Sequence, residues 1–344
     1  MVAPASSPTT AAYVAVLKAK QGELLAVQST PPDSFIPLLE IADPGKAAGL
    51  GRAWPHSAHV AWLQPVNLDG LAGNDWAVLV RTMFDELRAT GAIVVPVVTL
   101  DEASELHLAI RDTVRADGRG LVVRVDCADA LEEPPADLLV NVDATLTACG
   151  VQPADCDLVL DAGLVDGAAA VQAGAAGAAL DALPHMPAWR NVVVTFSAFP
   201  ANVSTHVQPS SVVSIPRIDA AAFNHLATRW TQRSLIFGDY AVGVPTYADV
   251  KWSPIPNIRY AVQDKWIVHR AMTKRNPSPQ YIQLARDVSN ASYFSGPAFS
   301  PGDSYIYDVA NGADGPGNAG SYLKAAMSRH FHVVLDSLAN RGAP

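Results

Sequence analysis

Cysteine is scarce in this sequence: Cys127, Cys149 and Cys156 are the only three in 344 residues, an odd number at no metal-ligand spacing. A disulfide framework is therefore not expected, and a reducing cytoplasm is the compartment that fits. Long apolar runs are absent as well. None approaches the roughly 20 residues that a bilayer-spanning helix needs, so no membrane partner is expected. Long basic runs are missing too, and 33 acidic residues outnumber 24 basic ones for a formal charge of −9. Non-specific nucleic-acid affinity rests on clustered positive charge, so nucleic acid is a disfavoured partner. No G-x-S-x-G nucleophile elbow, Walker loop or H-E-x-x-H zinc helix occurs. Residues Met1 to Ala12 have neither a basic start nor an apolar core, and read as a disordered tail rather than a secretory signal.

What the chain does have is a repeated grammar of short apolar runs that stop at polar residues. Ser234-Leu-Ile-Phe-Gly-Asp-Tyr240 is one, and Phe35 to Glu40, Gly120 to Asp126 and Asp157 to Asp161 are others. Nearly continuous apolar strands are the habit of parallel sheets covered by helices on both faces. Strands are expected at 13–17, 35–41, 92–99, 120–126, 157–161, 191–196, a weaker seventh at 212–215, and 235–240. Helices are expected between them, including an alanine- and glycine-rich one over 166–183 whose small side chains let it lie close to its neighbours. Ala58 to Leu63 reads as a short extra strand. Eight strands alternating with helices over about 240 residues match a (β/α)8 TIM-barrel-like α/β fold. The dinucleotide-binding fingerprint is absent after the first strand, which disfavours an open doubly wound sheet.

The grammar changes beyond Tyr240. Ile258 to Val262 and Lys265 to Arg270 flank Gln263-Asp264 as a β-hairpin. Helices follow over 279–288 and 321–338, separated by a Gly/Pro/Asp-rich span. The chain thus divides into a tail (1–12), a barrel (13–240) and a C-terminal hairpin and helix appendage packed on it (241–344).

In such barrels the polar strand tips gather at one mouth, where sites are kept. Glu40, Asp126, Asp161 and Asp239 stand at four strand exits, and carboxylates converging there would hold Mg²⁺ or Mn²⁺. A shift of one residue in strand register would turn any of them inward or outward. Asp239, Tyr240, Glu40 and Asp161 are the catalytic candidates, with Tyr240 orienting or donating. Lys18, Arg124, Arg259 and Arg270 are the candidates for holding an anionic substrate, since arginine forks onto phosphate and lysine acts as a point charge. The bland alternative pairs these same acids and bases with one another or makes the acids helix caps. His330 and His332 are about 200° apart on a helix and cannot share a metal. His56 and His59 lie in a Pro-rich setting that argues against one helical face. Trp252, Tyr260 and Trp266 read as packing. Gly315-Pro-Gly-Asn-Ala-Gly320 fits G-x-G-x-x-G but lacks its strand, so a surface loop is the expectation.

Several motifs together resemble the bacterial and phage "beta protein" family: Leu17 to Glu23, Pro37 to Ile41, Phe237-Gly-Asp-Tyr240, Ile258-Arg-Tyr260, Trp266 to Arg270, Phe299-Ser-Pro-Gly-Asp303 and His330-Phe-His332. The resemblance runs from about Tyr13 to Leu338. It implies a phage or mobile-element setting and a role in phage defence, and it assigns no catalytic residue. The function expected from the site candidates is a metal-assisted hydrolase of a phosphorylated or nucleotide-like substrate. The alternative is a non-catalytic recognition protein that senses a phage component or joins a protein partner.

Overall fold

The computed structural model describes residues 12–31, 35–53, 59–247 and 254–344. Residues 1–11 of the expected tail, His56 and Trp252 lie outside the described residues. In chain order the elements are β1 (Tyr13–Leu17), α1 (Gln21–Val27), β2 (Phe35–Ile41), α2 (Ala47–Ala53), β3 (Val60–Pro65), α3 (Gly73–Ala89), β4 (Ile93–Val98) and α4 (Ser104–Asp117). Then come β5 (Leu121–Asp126), α5 (Cys127–Glu132), α6 (Pro135–Cys149), β6 (Cys156–Leu164), α7 (Ala169–Ala182), β7 (Asn191–Ser197), α8 (Val203–His206), β8 (Ser211–Pro216), α9 (Ile218–Arg229) and β9 (Ile236–Asp239). The rest is β10 (Asn257–Ala261), β11 (Lys265–Arg270), α10 (Pro277–Ser289), α11 (Pro301–Asn311) and α12 (Ala319–Arg341).

Strands β1 to β7 and β9 form a closed parallel barrel, in which Tyr13 of β1 pairs with Phe35 on one side and Phe237 on the other. The eightfold (β/α)8 architecture is as expected, but its membership differs by one exchange. The run expected as a short extra strand is the full barrel strand β3, between β2 and β4. The run expected as the seventh barrel strand is β8, which leaves the barrel and pairs antiparallel with β11. Its burial explains the exchange: residues 211–216 alternate between half-buried and exposed, whereas β3 is buried almost throughout. Alternation belongs to an antiparallel sheet with one wet face, and continuous burial to a parallel barrel.

Alternate residues of each strand point to opposite faces. The barrel interior holds Val14, Leu38, Trp62, Val97, Val122 and Val193. The outward set, including Tyr13, Leu39, Leu63, Val123 and Phe237, packs under the helices. α3 shows why the sequence covers that surface, since Trp76, Val80, Met83, Phe84 and Leu87 recur on one buried helical face. In α7 the buried Ala173, Ala176 and Ala179 have little bulk, and Leu226 of α9 comes within 3.5 Å of where a Gly177 Cβ would sit. The close approach read from its composition is present.

The expected hairpin forms between β10 and β11 and, with β8, makes a three-stranded sheet. Helices α10 to α12 pack on it around Tyr260, Tyr281, Leu284, Val288 and Ile306. The Gly/Pro/Asp-rich span contains α11, whose start is capped by the Ser300 hydroxyl oxygen accepting from the Asp303 backbone N–H. α12 joins the two bodies: its Phe331 ring lies 4.9 Å from that of Phe35 on the barrel wall. Among the described residues no helix is long and apolar enough to cross a membrane.

Candidate functional site

Above the apolar interior layers, the next inward-facing residues of the strands are polar, and Arg124 of β5 stands at their centre. Its Nη1 donates to Glu40 Oε1 of β2 at 2.9 Å and to Gln64 Oε1 of β3. Its Nε donates to Asp161 Oδ2 of β6 at 3.1 Å, and Nη2 donates to the same oxygen and to the Tyr240 hydroxyl. Tyr240 in turn donates to Asp161 Oδ2. The other oxygen of Asp161 accepts from Thr195 Oγ1 and from the Gly163 backbone N–H, each at 2.9 Å. Burial alone would raise the Asp161 pKa, but the Arg124 charge and these donors outweigh it and hold the carboxyl below its usual range. Burial, then the Asp161 charge, push the Tyr240 phenol well above its ordinary value.

The four carboxylates do not share this mouth. Glu40 and Asp161 do, but Arg124 stands between them. Asp126 is exposed and caps α5, its Oδ1 accepting from the Ala128 backbone N–H at 2.7 Å. Asp239 has the outward parity of Phe237 and faces away from the barrel interior. Among the described residues no group of three or more His, Cys, Asp or Glu is placed to hold a metal. The donor set expected for Mg²⁺ or Mn²⁺ is therefore not assembled. The two acids that do meet are already bridged by a guanidinium, and no step is derived through a metal.

Asp239 lies in a second network, between the barrel wall and α12. Its Oδ1 accepts from the Tyr13 hydroxyl and from the Ala241 backbone N–H, the latter at 2.9 Å. Its Oδ2 meets His330 Nε2 at 2.6 Å and Arg217 Nη2 at 3.2 Å. Trp266 Nε1 donates to His330 Nδ1 at 3.2 Å. An indole N–H only donates, so the His330 proton that meets Asp239 is on Nε2. Arg217 also pairs with Asp219 at 2.8 Å. Burial would raise Asp239, yet His330, Arg217 and Tyr13 together hold it below the ordinary value. Trp266 and Tyr260 are fully buried packing residues, as expected. His332 turns to the Ser328 carbonyl, away from His330's partners.

A cleft of about 430 Å³ opens over the mouth, between the barrel and the appendage. Lys18, Lys20 and Arg259 line it, with Tyr240, Tyr247 and Tyr322 among its aromatic walls. Lys18 follows β1 and points inward; its Nζ donates to the Thr246 carbonyl and sits 4.3 Å from the Tyr247 ring centre. Burial pushes the Lys18 pKa down, with Glu40 opposing and Lys20 adding to the shift. Arg259 of β10 lies 4.8 Å over the Phe199 ring, and its Nη1 donates to the Val242 carbonyl at 3.0 Å and its Nε to Asn257 Oδ1 at 3.3 Å. No carboxylate among the described residues pairs with it, and burial lowers its pKa. Glu23 is the cleft's own acid; burial raises its pKa, while its Oε2 accepts from the Lys20 backbone N–H at 2.9 Å. Arg270 does not line the cleft and instead holds the Val207 carbonyl.

Lys18, Arg259 and Tyr240 were legible in the sequence as site candidates, and the structure brings them to one cleft. Gln64 was missed because β3 was not read as a barrel strand. Arg217, Tyr247 and Tyr322 carry no motif that sets them apart. Of Gly315 to Gly320, residues 315–318 are the loop that leads into α12 and the last two open the helix, where Asn318 Oδ1 accepts from the Gly320 and Ser321 backbone N–H groups.

A closed parallel barrel of eight strands with a sheet-and-helix appendage beside its mouth is the class that these observations define. Within it the chain belongs to the Beta protein family, whose sequence profile matches residues 13–336. No curated protein matches the chain. Among solved structures, a glycerol uptake operon antiterminator-related protein from Thermotoga maritima MSB8 is similar at 13 % identity and a TM-score of 0.32, over 67 % of this chain and 96 % of that one. At that level the likeness carries no argument.

Proposed function

We propose that this chain is a recognition protein for a small anionic ligand that carries a ring and sits in the cleft above the barrel mouth. The observation that carries the reading is Arg259, a half-buried guanidinium that lines the cleft and has no carboxylate partner among the described residues. Arginine keeps its charge at neutral pH, so the missing counter-charge is best supplied by a ligand phosphate or carboxylate. Lys18 and Lys20 add positive potential, so three basic side chains face one carboxylate, Glu23, in the cleft lining. The tyrosines offer faces and hydroxyls for a sugar or planar ring. The volume falls within the 300–1,000 Å³ or so usual for small-molecule sites.

Hydrolysis is not needed for this reading, because the acids expected to catalyse it are engaged with Arg124 or lie outside the barrel. Calorimetric titration with mononucleotides, sugar phosphates, nucleosides and inorganic phosphate, with EDTA present, tests it. Binding of at least one phosphorylated probe is expected. Arg259→Gln should weaken that binding about 10–100-fold, the value of one hydrogen bond to a charged group. Lys20→Gln should weaken it less. Binding that is indifferent to both substitutions, or no binding across the panel, overturns the proposal.

A further inference from the structure

Four side chains with oxygen donors converge on one guanidinium at the barrel mouth. Glu40, Gln64, Asp161 and Tyr240 come from four different parts of the barrel wall, and each accepts from an Nη atom of Arg124. Two carboxylates and an amide oxygen are donors that a hard divalent cation selects, with the Tyr240 hydroxyl beside them. Their formal charge of −2 would match that ion, whereas Arg124 supplies +1. Around this oxygen cage all three ionic side chains are at most 10 % exposed.

We infer that the barrel mouth is a cation site whose permanent occupant is the protein's own Arg124 guanidinium. A guanidinium is never deprotonated in a protein and cannot diffuse away, so a divalent ion would have to expel it and leave a buried charge unpaired. Arg124 thereby closes the mouth to metal and positions the Tyr240 phenol at the floor of the cleft. This inference concerns the floor and stands whether or not the cleft takes an anion.

Mn²⁺ titration, followed by electron paramagnetic resonance and calorimetry, tests it on the full chain. The wild type should show no stoichiometric Mn²⁺ site, and its melting temperature should not respond to EDTA. Arg124→Ala should gain one Mn²⁺ site and a melting temperature that rises by several degrees with Mn²⁺. Methylguanidinium should compete for the same site. If the emptied cage cannot fold alone, refolding should recover with Mn²⁺ or methylguanidinium and not with Na⁺. A stoichiometric Mn²⁺ site in the wild type that Glu40→Gln removes would overturn the inference. So would an Arg124→Ala chain that neither ion binds or rescues.

Discussion

Two buried ionic networks lie on opposite sides of one barrel wall, and adjacent residues belong to each. Tyr240 points inward to Arg124, Glu40 and Asp161; Asp239 points outward to Arg217, Asp219 and His330. Both contain one arginine and two carboxylates. They differ in what lies beyond them. The inner network borders a cleft, and its ionic side chains keep 5–10 % exposure. In the outer one Arg217, Asp219 and Asp239 are at most 2 % exposed, sealed by α12 and the appendage sheet. The same residue types therefore make a site floor on one face and a joint between two bodies on the other. Which they make is decided by side-chain parity alone.

The largest expected effect separates the two networks by their access to water. Arg217→Met leaves Asp219 and Asp239 buried without their cation and should cost about 3–5 kcal/mol. Arg124→Met should cost less, because water from the cleft can reach Glu40 and Asp161. Urea denaturation of both variants measures the difference, and the reverse order would break the comparison. Next in size is Asp239→Asn, read against pH. The folded-state pKa of Asp239 is depressed, so its stabilisation is present above the unfolded value of about 3.9 and is lost as pH falls through the lower folded value. The variant should therefore be less stable than wild type at pH 7, with the gap closing below about pH 4. Melting temperatures across pH 2–7 check this; a constant gap contradicts it. The smallest effect is a pair. Tyr13→Phe removes a donor from sealed Asp239 and Tyr240→Phe removes one from Asp161 at the cleft, each at about 1–3 kcal/mol, with Tyr13→Phe the costlier. Equal values would mean that the cleft does not hydrate the inner network.

The barrel was legible because its strands are short apolar runs with polar tips, and the hairpin because two alternating runs flank Gln263-Asp264. The same feature hid the orientation of the site. A strand buried on both faces has no alternation, so nothing in Leu235 to Tyr240 says whether Asp239 or Tyr240 looks inward. The exchange of β3 and β8 has a related cause. Val60 to Pro65 follows a segment rich in Gly and Pro, while Val212-Val-Ser-Ile215 sits at the spacing a barrel strand would have. Only its alternating exposure in the structure betrays the antiparallel partner. The family motifs proved to be architectural at several positions. Gly238 is where a Cβ would meet Thr195 Cγ2 at 2.5 Å, and Gly302 is where one would meet the Ala325 carbonyl oxygen at 2.1 Å. Asp303 pairs with Arg329 at 2.9 Å, whose guanidinium is stacked between the Tyr260 and Phe299 rings at 4.4 and 4.3 Å.

The detour of the chain through β8 ties the fates of the two bodies together. Between β7 and β9 the polypeptide steps out of the barrel, lays one strand against β11, and returns to close the ring. A fragment stopped after Tyr240 would hold every staves-worth of its cylinder yet carry a strand stripped of its only pairing mate. Removing the appendage would thus leave β8 without the strand it pairs with in this structure.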